Sequence, residues 1–297
     1  MSAPATATAP DLSRLRIGFI GAGRLGTALA WSFAERGLGV VAVASLMPQD
    51  AARLAAPIPG CAIVAAQHVI DGCDLVLVTT PDEAIESTAS ALRWRAGVCA
   101  VHCSGATEVS ALAAAAQAGA ATGGFHPMQT FGDPAAAVRS LPGCTITIEA
   151  QEPLDAILVA LAALLECRVN RLPPGMRARY HAAAGYTSQF VNALFGEAAE
   201  LWQTWGATEE DAVRALLPLA KGTLASIESA GVAGGMPGPV SRGDVGTIAK
   251  HVDALAPLGP EVMEFYRVVC ERTIRLGLRR GAIDVAAAER LRTLLRR

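Results

Sequence analysis

Between Leu15 and Leu172 the chain alternates short runs of β-branched and apolar residues with segments whose apolar positions recur at helical spacing. Leu15–Gly21 (LRIGFIG) reads as a first strand, and the amphipathic segment that follows ends at Gly37. VVAVAS is a second strand closing at Ser45, AIVAA a weaker third, and CDLVLVTTPD a fourth that stops at Pro81. GVCAVHCSGA is a fifth, and GGFHPMQTF carries a short sixth followed by a loop. CTITIEA and CRVNRL flank a helix expected to start near Glu152. Strands that alternate with helices in this way build a mostly parallel sheet covered on both faces, the doubly wound α/β (Rossmann) architecture.

Beyond LPPG (Leu172 to Gly175) the period-two signal disappears. From Met176 the spacing is helical, broken at Gly206, across the Gly/Pro-rich stretch Gly231 to Gly243, and at Leu258 to Pro260. The expected organisation is a disordered tail over 1–12, an α/β domain over 13–173 and an all-α domain over 174–297.

Composition narrows the field. Hydrophobic residues make up 52% of the 297 and charged residues 18%, which excludes bulk disorder. With 25 basic and 27 acidic residues the net charge is −2, so no field draws the chain to nucleic acid or to an anionic membrane. The longest apolar runs, such as AILVALAALL, fall short of a bilayer span. The amino end lacks the basic-then-apolar order of a signal peptide. Seven scattered cysteines without a CxxC pair favour reduced, buried thiols in a cytoplasmic protein and argue against a metal site.

GFIGAGRLG places Gly21, Gly23 and Gly26 in a GxGxxG pattern at the first strand-to-helix junction. The first glycine permits the turn, the second lets backbone approach a pyrophosphate, and the third lets helix and strand pack closely. Arg24 and Leu25 lie inside the same loop, whose helix amino terminus favours negative charge. An NAD site usually ends strand two with a carboxylate that holds the ribose hydroxyls; here Ser45 stands in that place. With no carboxylate to repel a 2′-phosphate, and with Arg53 or Arg24 to pair with it, the cofactor is expected to be NADP, NAD being the alternative. Ligands of such sheets bind beyond the carboxyl ends of the strands, which brings in Thr80, Pro81 and Ser104 as cofactor contacts and His126 as a group placed for proton transfer. His102 reads as a satisfied core residue and His68 as a solvated one.

On a continuous helix from Arg177, the residues Arg177, His181, Gly185, Ser188 and Asn192 fall within about 80° of one another at roughly 100° per residue. This polar line, set among apolar neighbours, is what a substrate groove requires; a water-facing helix side is the alternative. In GPVSRGDVGTIAKHVDAL, Asp244 is placed to cap the helix that follows, with Thr247 and His251 on the same side and Arg242 just before the cap.

GFIGAGRLG, VTTPD, VHCSGA, GFHPMQTF, RYHAAAGYTSQF and GPVSRGDVGTIAKHVDAL together resemble bacterial Rossmann-like proteins with a helical carboxyl-terminal domain of unknown function. These are relatives of pyrroline-5-carboxylate reductase, ketopantoate reductase and β-hydroxyacid dehydrogenases. The resemblance implies an NAD(P) domain, a helical domain that dimerises, and a substrate cleft between them. Members commonly carry lysine where this chain has Arg177 and asparagine where it has Gln189. Arginine is a poor proton donor, so His181 or His126 is expected to relay the proton, with Arg177 and Arg242 gripping a substrate carboxylate. Ser188, Gln189, Asn192 and Asp244 are the expected substrate contacts, and His251 is divided between cleft and dimer interface. The expected activity is NADP-dependent hydride transfer to or from a small carboxylate-bearing carbonyl, imine or alcohol. A non-catalytic dinucleotide sensor and deazaflavin–NADP hydride exchange are the alternatives.

Overall fold

In the computed structural model, which describes residues 10–296, an eight-stranded sheet has the order β3-β2-β1-β4-β5-β6-β7-β8. Its strands are β1 (Arg16–Ile20), β2 (Gly39–Ala44), β3 (Ala62–Ile63), β4 (Leu75–Val78), β5 (Cys99–His102), β6 (Ala121–Pro127), β7 (Thr145–Glu149) and β8 (Arg168–Arg171). β1 to β6 run parallel, β7 pairs antiparallel with β6, and β8 runs parallel to β7. The amino-terminal ends of β7 and β8 therefore lie at the same edge as the carboxyl ends of the other strands.

The strands alternate between two apolar layers, as a sheet buried on both faces must. Ile17, Phe19, Leu75 and Leu77 face one layer, packed against α1 (Arg24–Glu35), α2 (Pro48–Ala55) and the later α7. Phe33 of α1 stands between Phe19 and Phe125, with ring centroids 6.4 and 6.5 Å away. Ile20, Val76 and Val78 face the other layer, against α3 (Ala66–Gly72), α4 (Ile85–Ser90) and α5 (Ala113–Gln117). α6 (Pro134–Ser140), capped by Asp133, lies in the β6–β7 connection, and α7 (Leu154–Leu164) lies between β7 and β8. The expected sixth strand is longer than its apolar signal, because Ala121 and Thr122 also pair with β5.

α8 (Arg177–Tyr186) and α9 (Gln189–Gln203) follow, then α10 (Glu209–Gly234), α11 (Val245–Leu255), α12 (Pro260–Arg280) and α13 (Val285–Leu295). The chain falls into two compact units, 1–191 and 192–297. α8 belongs to the first, because Glu108 accepts the Gly175 and Arg177 N–H groups at its start and the Arg177 side chain penetrates the sheet layer. The second unit has its own core of Ile248, Val252, Met263, Ile274, Ala288 and Leu291. α10 opens with a reciprocal capping box between Thr208 and Asp211. No helix among the described residues is long and apolar enough to cross a membrane. Residues 1–9 of the expected disordered tail lie outside the described residues.

The cysteines depart from the expectation of burial. Cys73, Cys103 and Cys270 are buried, but Cys61, Cys99, Cys144 and Cys167 are only half-buried.

Candidate active site

The glycine loop closes on itself in the way its spacing requires. Gly21 has φ +105°, and a Cβ there would meet the Thr79 carbonyl at 2.6 Å and the Thr80 nitrogen at 2.7 Å. A Cβ on Gly26 would meet the Thr79 hydroxyl at 2.5 Å, so helix and strand touch at that point. Thr79, which sequence reasoning passed over, locks the loop by donating to the Gly21 carbonyl at 2.8 Å. Gly23 differs from the other two: a Cβ there would meet nothing within 4 Å. It is also the N-cap of α1 and offers no side chain to the first-turn N–H groups. Open space above uncapped N–H groups is what a pyrophosphate needs. Arg24 is exposed and Leu25 half-buried at the start of α1.

Two further features fit a dinucleotide. The buried Thr80 hydroxyl, at the edge of β4, has no hydrogen-bond partner. Arg53 reaches back from α2 to donate to the Ala22 carbonyl at 3.2 Å, while pairing with Asp50 at 3.1 Å. A cation therefore stands at the loop near Ser45, whose hydroxyl accepts the Met47 N–H. Pro81 precedes the short turn that leads into α4. Ser104 is different: its hydroxyl accepts the N–H groups of Ala106 and Thr107, so it builds its own turn. Its N–H donates to His102 and its carbonyl accepts from Arg177, so the structure gives Ser104 a structural part in place of the expected cofactor contact.

At the carboxyl end of β6, the antiparallel register sets His126 opposite Thr147, and the parallel register sets Thr147 opposite Asn170. One polar row thus crosses three strands. Asn170 donates to the Thr147 hydroxyl at 3.1 Å, and the Tyr180 hydroxyl lies 2.7 Å from His126 Nδ1. Burial raises the Tyr180 pKa, so the phenol is protonated at rest. The His126 pKa is pushed down to about 4, first by burial and then by His181 and Arg177. A neutral His126 that accepts at Nδ1 carries its proton on Nε2. That nitrogen faces Gly105, where a Cβ would meet it at 2.9 Å and His181 Cδ2 at 2.7 Å. The His126 and His181 rings are 6.3 Å apart at 77°, and His181 is exposed. The structure therefore brings together His126, His181 and Tyr180 around Gly105.

Arg177 corrects an expectation. Its side chain is 0% exposed, with Nε donating to Glu149 at 2.7 Å and Nη1 to the Ser104 carbonyl at 2.8 Å. Nη2, which has no hydrogen-bond partner, and Cζ fill the space above Gly124 that any side chain there would need. A bidentate hold on a substrate carboxylate would require breaking these bonds, so Arg177 acts as a strut that fixes α8 to β5, β6 and β7. Its charge also helps to depress the pKa of His102, pushed down to about 3 chiefly by burial. His102 is buried as expected but only half satisfied: Nδ1 accepts from the Ser104 N–H, and Nε2 has no partner. His68 is exposed on α3.

The continuous polar line is a second correction. The helix stops at Tyr186, where the Thr187 and Ser188 hydroxyls donate back to the Ala184 carbonyl at 3.2 and 2.9 Å. α9 starts at Gln189, so Ser188, Gln189 and Asn192 do not continue the face that carries Arg177 and His181; all three are exposed. In the second unit Asp244 caps α11 as expected, accepting from the Thr247 N–H at 3.0 Å and hydroxyl at 2.7 Å. Arg242 is exposed beside it. His251 Nδ1 pairs with the Tyr266 hydroxyl at 2.8 Å, a bond between α11 and α12.

An open cavity of about 730 Å³ lies at the other end of these strands, among Thr122, Glu149, Glu152, Asp155 and Arg171. It is remote from the glycine loop, and a doubly wound sheet binds its ligand at the opposite edge. Among the described residues no cluster of three or more His, Cys, Asp or Glu side chains is placed to hold a metal ion.

Residues 1–127 match a Rossmann-like domain, and residues 144–273 match a domain of unknown function, DUF2520. The chain thus joins a Rossmann-like amino-terminal domain to a DUF2520 domain. No curated protein matches the sequence. Among solved structures it is similar to a candidate NADP oxidoreductase, BF3122, of Bacteroides fragilis. The two share 24% identity at TM-score 0.67, over 89% of this chain and 99% of that one. Protein TM1727 of Thermotoga maritima gives 20% identity and TM-score 0.72 over the same shares of each chain. A Plasmodium falciparum pyrroline carboxylate reductase with NADP bound gives 11% identity and TM-score 0.59, over 90% of this chain and 99% of that one. These likenesses establish the fold.

Proposed function

We propose that the chain is an NADP-dependent oxidoreductase that transfers a hydride to or from a small carboxylate-bearing carbonyl, imine or alcohol. The observation that carries this reading is the Tyr180–His126 hydrogen bond at the ligand edge of a sheet whose glycine loop leaves Gly23 open. Gly21, Gly23, Gly26, Arg24 and Leu25 would hold the pyrophosphate, Arg53 and Ser45 the 2′-phosphate end, and Thr80 and Pro81 the nicotinamide half. Relatives of this fold solved with NADP or NADPH, a pyrroline carboxylate reductase and a reductive aminase, support the cofactor. When bound, NADPH supplies the hydride.

The chain's own residues supply the proton. Neutral His126 donates from Nε2, and the Tyr180 phenol, hydrogen-bonded to Nδ1, passes its proton to that nitrogen in the same step and is reprotonated from solvent. His181 flanks the same point and helps to keep His126 uncharged. The helical segment 174–297 is the proposed dimerisation domain of a cytoplasmic homodimer. The large apolar residues exposed on its helices, among them Leu194, Leu224 and Val268, support that assembly. The strut role accounts for arginine at 177 without any loss of catalysis.

The test is NADPH oxidation followed by absorbance over a panel of 2-oxo acids and cyclic imines. Tyr180→Phe is expected to lower kcat by about 10²-fold or more while leaving NADPH affinity unchanged. A wild-type rate in Tyr180→Phe would remove the relay, and silence across the panel despite tight NADPH binding would favour the sensor.

A further inference from the structure

We propose that Cys144 and Cys167 form a reversible dithiol–disulfide couple that hydroperoxides oxidise. Cys144 directly precedes β7 and Cys167 directly precedes β8, two parallel neighbours whose first register pair is Thr145 with Arg168. The two cysteines therefore face each other one step before the paired strands, with the Arg168 N–H donating to the Cys144 carbonyl at 2.8 Å. Adjacent strands run about 4.8 Å apart, inside the range of Cα separations that a disulfide spans. The sulfurs themselves are 3.6 Å apart, so side-chain rotation alone closes most of the distance to a bond.

Access and reactivity agree with the geometry. Both cysteines are half-buried, where a small peroxide reaches them, whereas Cys73, Cys103 and Cys270 are enclosed. The pair is also asymmetric. The sulfurs share one hydrogen bond in which either can be the donor; that bond lowers the Cys144 pKa and, together with burial, raises that of Cys167. Backbone carbonyls of Leu141 and Leu165 surround the Cys167 sulfur at 3.1 and 3.4 Å. Arg36 and Glu166, paired at 3.6 Å, set opposite charges near the Cys167 sulfur that act on its pKa in opposite senses, so neither decides its protonation. One thiolate beside one protonated thiol is the arrangement of an attacking and a resolving cysteine.

The chemistry balances with a hydroperoxide as the oxidant. The Cys144 thiolate attacks the terminal peroxide oxygen, the O–O bond breaks, and the alcohol (or water) leaves with a proton. Cys144 is now a sulfenic acid. The Cys167 sulfur attacks the Cys144 sulfur, the S–O bond breaks, and the hydroxyl leaves as water with the Cys167 proton. Two thiols lose two electrons and become one disulfide, and one hydroperoxide is reduced to an alcohol and water.

The test uses the purified full chain, treated with about one equivalent of hydrogen peroxide, then denatured, alkylated and weighed intact. Of the seven cysteines, two are expected to escape alkylation, a peptide map is expected to link Cys144 to Cys167, and dithiothreitol is expected to restore both. In Cys167→Ser the reaction stops at a Cys144 sulfenic acid that dimedone traps, and in Cys144→Ser neither product forms. Full alkylation after peroxide, a cross-link through other cysteines, or unchanged thiol loss in the double variant would each overturn the proposal. The wild-type peptide map decides the matter even if a variant folds poorly.

Discussion

Replacing Arg177 by methionine separates a strut from a substrate anchor. The side chain is 0% exposed, and its partner Glu149 is 13% exposed. Methionine refills much of the volume but leaves the Glu149 carboxylate without its ion pair and the Ser104 carbonyl without its donor. Removing one member of a buried pair costs about 3–5 kcal/mol, because the other charge stays behind uncompensated. At roughly 2–4 °C per kcal/mol for a chain of this size, Tm is expected to fall by about 6–20 °C. The assay is thermal unfolding followed by circular dichroism, with a denaturant titration as a check on the free energy. The double variant Arg177→Met with Glu149→Gln is expected to recover part of the loss, since a neutral amide tolerates burial better than a lone carboxylate. Arg177→Lys is expected to lie between, because an ammonium does not reproduce the planar fork that reaches Glu149 and Ser104 together. A drop below about 1 kcal/mol, the range of an exposed pair, would refute the reasoning. So would an unchanged Tm together with a raised KM, which is the signature of an anchor.

Two other outcomes follow from the same cluster. Gly105→Ala forces a methyl group to within 3 Å of both His126 and His181. It is expected to disturb the Tyr180–His126 bond and depress kcat far more than NADPH affinity; an unchanged kcat would contradict the placement of His126. The pH dependence of stability carries its own sign. His126 and His102 have folded pKa values near 4 and 3, below their ordinary 6.5. Above 6.5 neither contributes a slope; below it the unfolded chain takes up protons that the folded one refuses. Stability is expected to fall from pH 6.5 toward pH 4 by up to about 1.4 kcal/mol per unit per histidine. The decline from His126 levels off below pH 4, and that from His102 near pH 3. His126→Gln should flatten the curve in that window, and an identical slope would show that His126 titrates normally.

Much of this was legible in the sequence, and the exceptions share a cause. The strands showed because each alternates between two buried layers, and the glycine loop showed because its turn, approach and packing demands fall on fixed positions. Asp244 as a cap was equally local. The Arg177 strut was hidden because it depends on Gly124 lying beneath the guanidinium and on Glu149 one strand away, both distant in sequence. The His126–Thr147–Asn170 row likewise needs the antiparallel register of β7, which no local pattern reveals. Tyr180 gave no signal of its own, because its role depends on His126 meeting it from β6. The break after Tyr186 contains neither glycine nor proline; two hydroxyls bonding back to Ala184 make it. Such a stop is weaker than the glycine and proline signals at the other breaks.

The central claim is that the open loop at Gly23 receives the pyrophosphate of NADP. Gly23 has φ −66°, and a Cβ there meets no atom within 4 Å, so Gly23→Ala leaves the fold undisturbed and intrudes only on the ligand's space. The direct measurement is an equilibrium titration of NADPH, read by its fluorescence, against the wild type and Gly23→Ala at matched Tm. Saturable binding to the wild type, weakened about tenfold or more in the variant with Tm unchanged, is the expected result. Equal affinity in the two proteins, or no saturable binding to the wild type, would contradict the account.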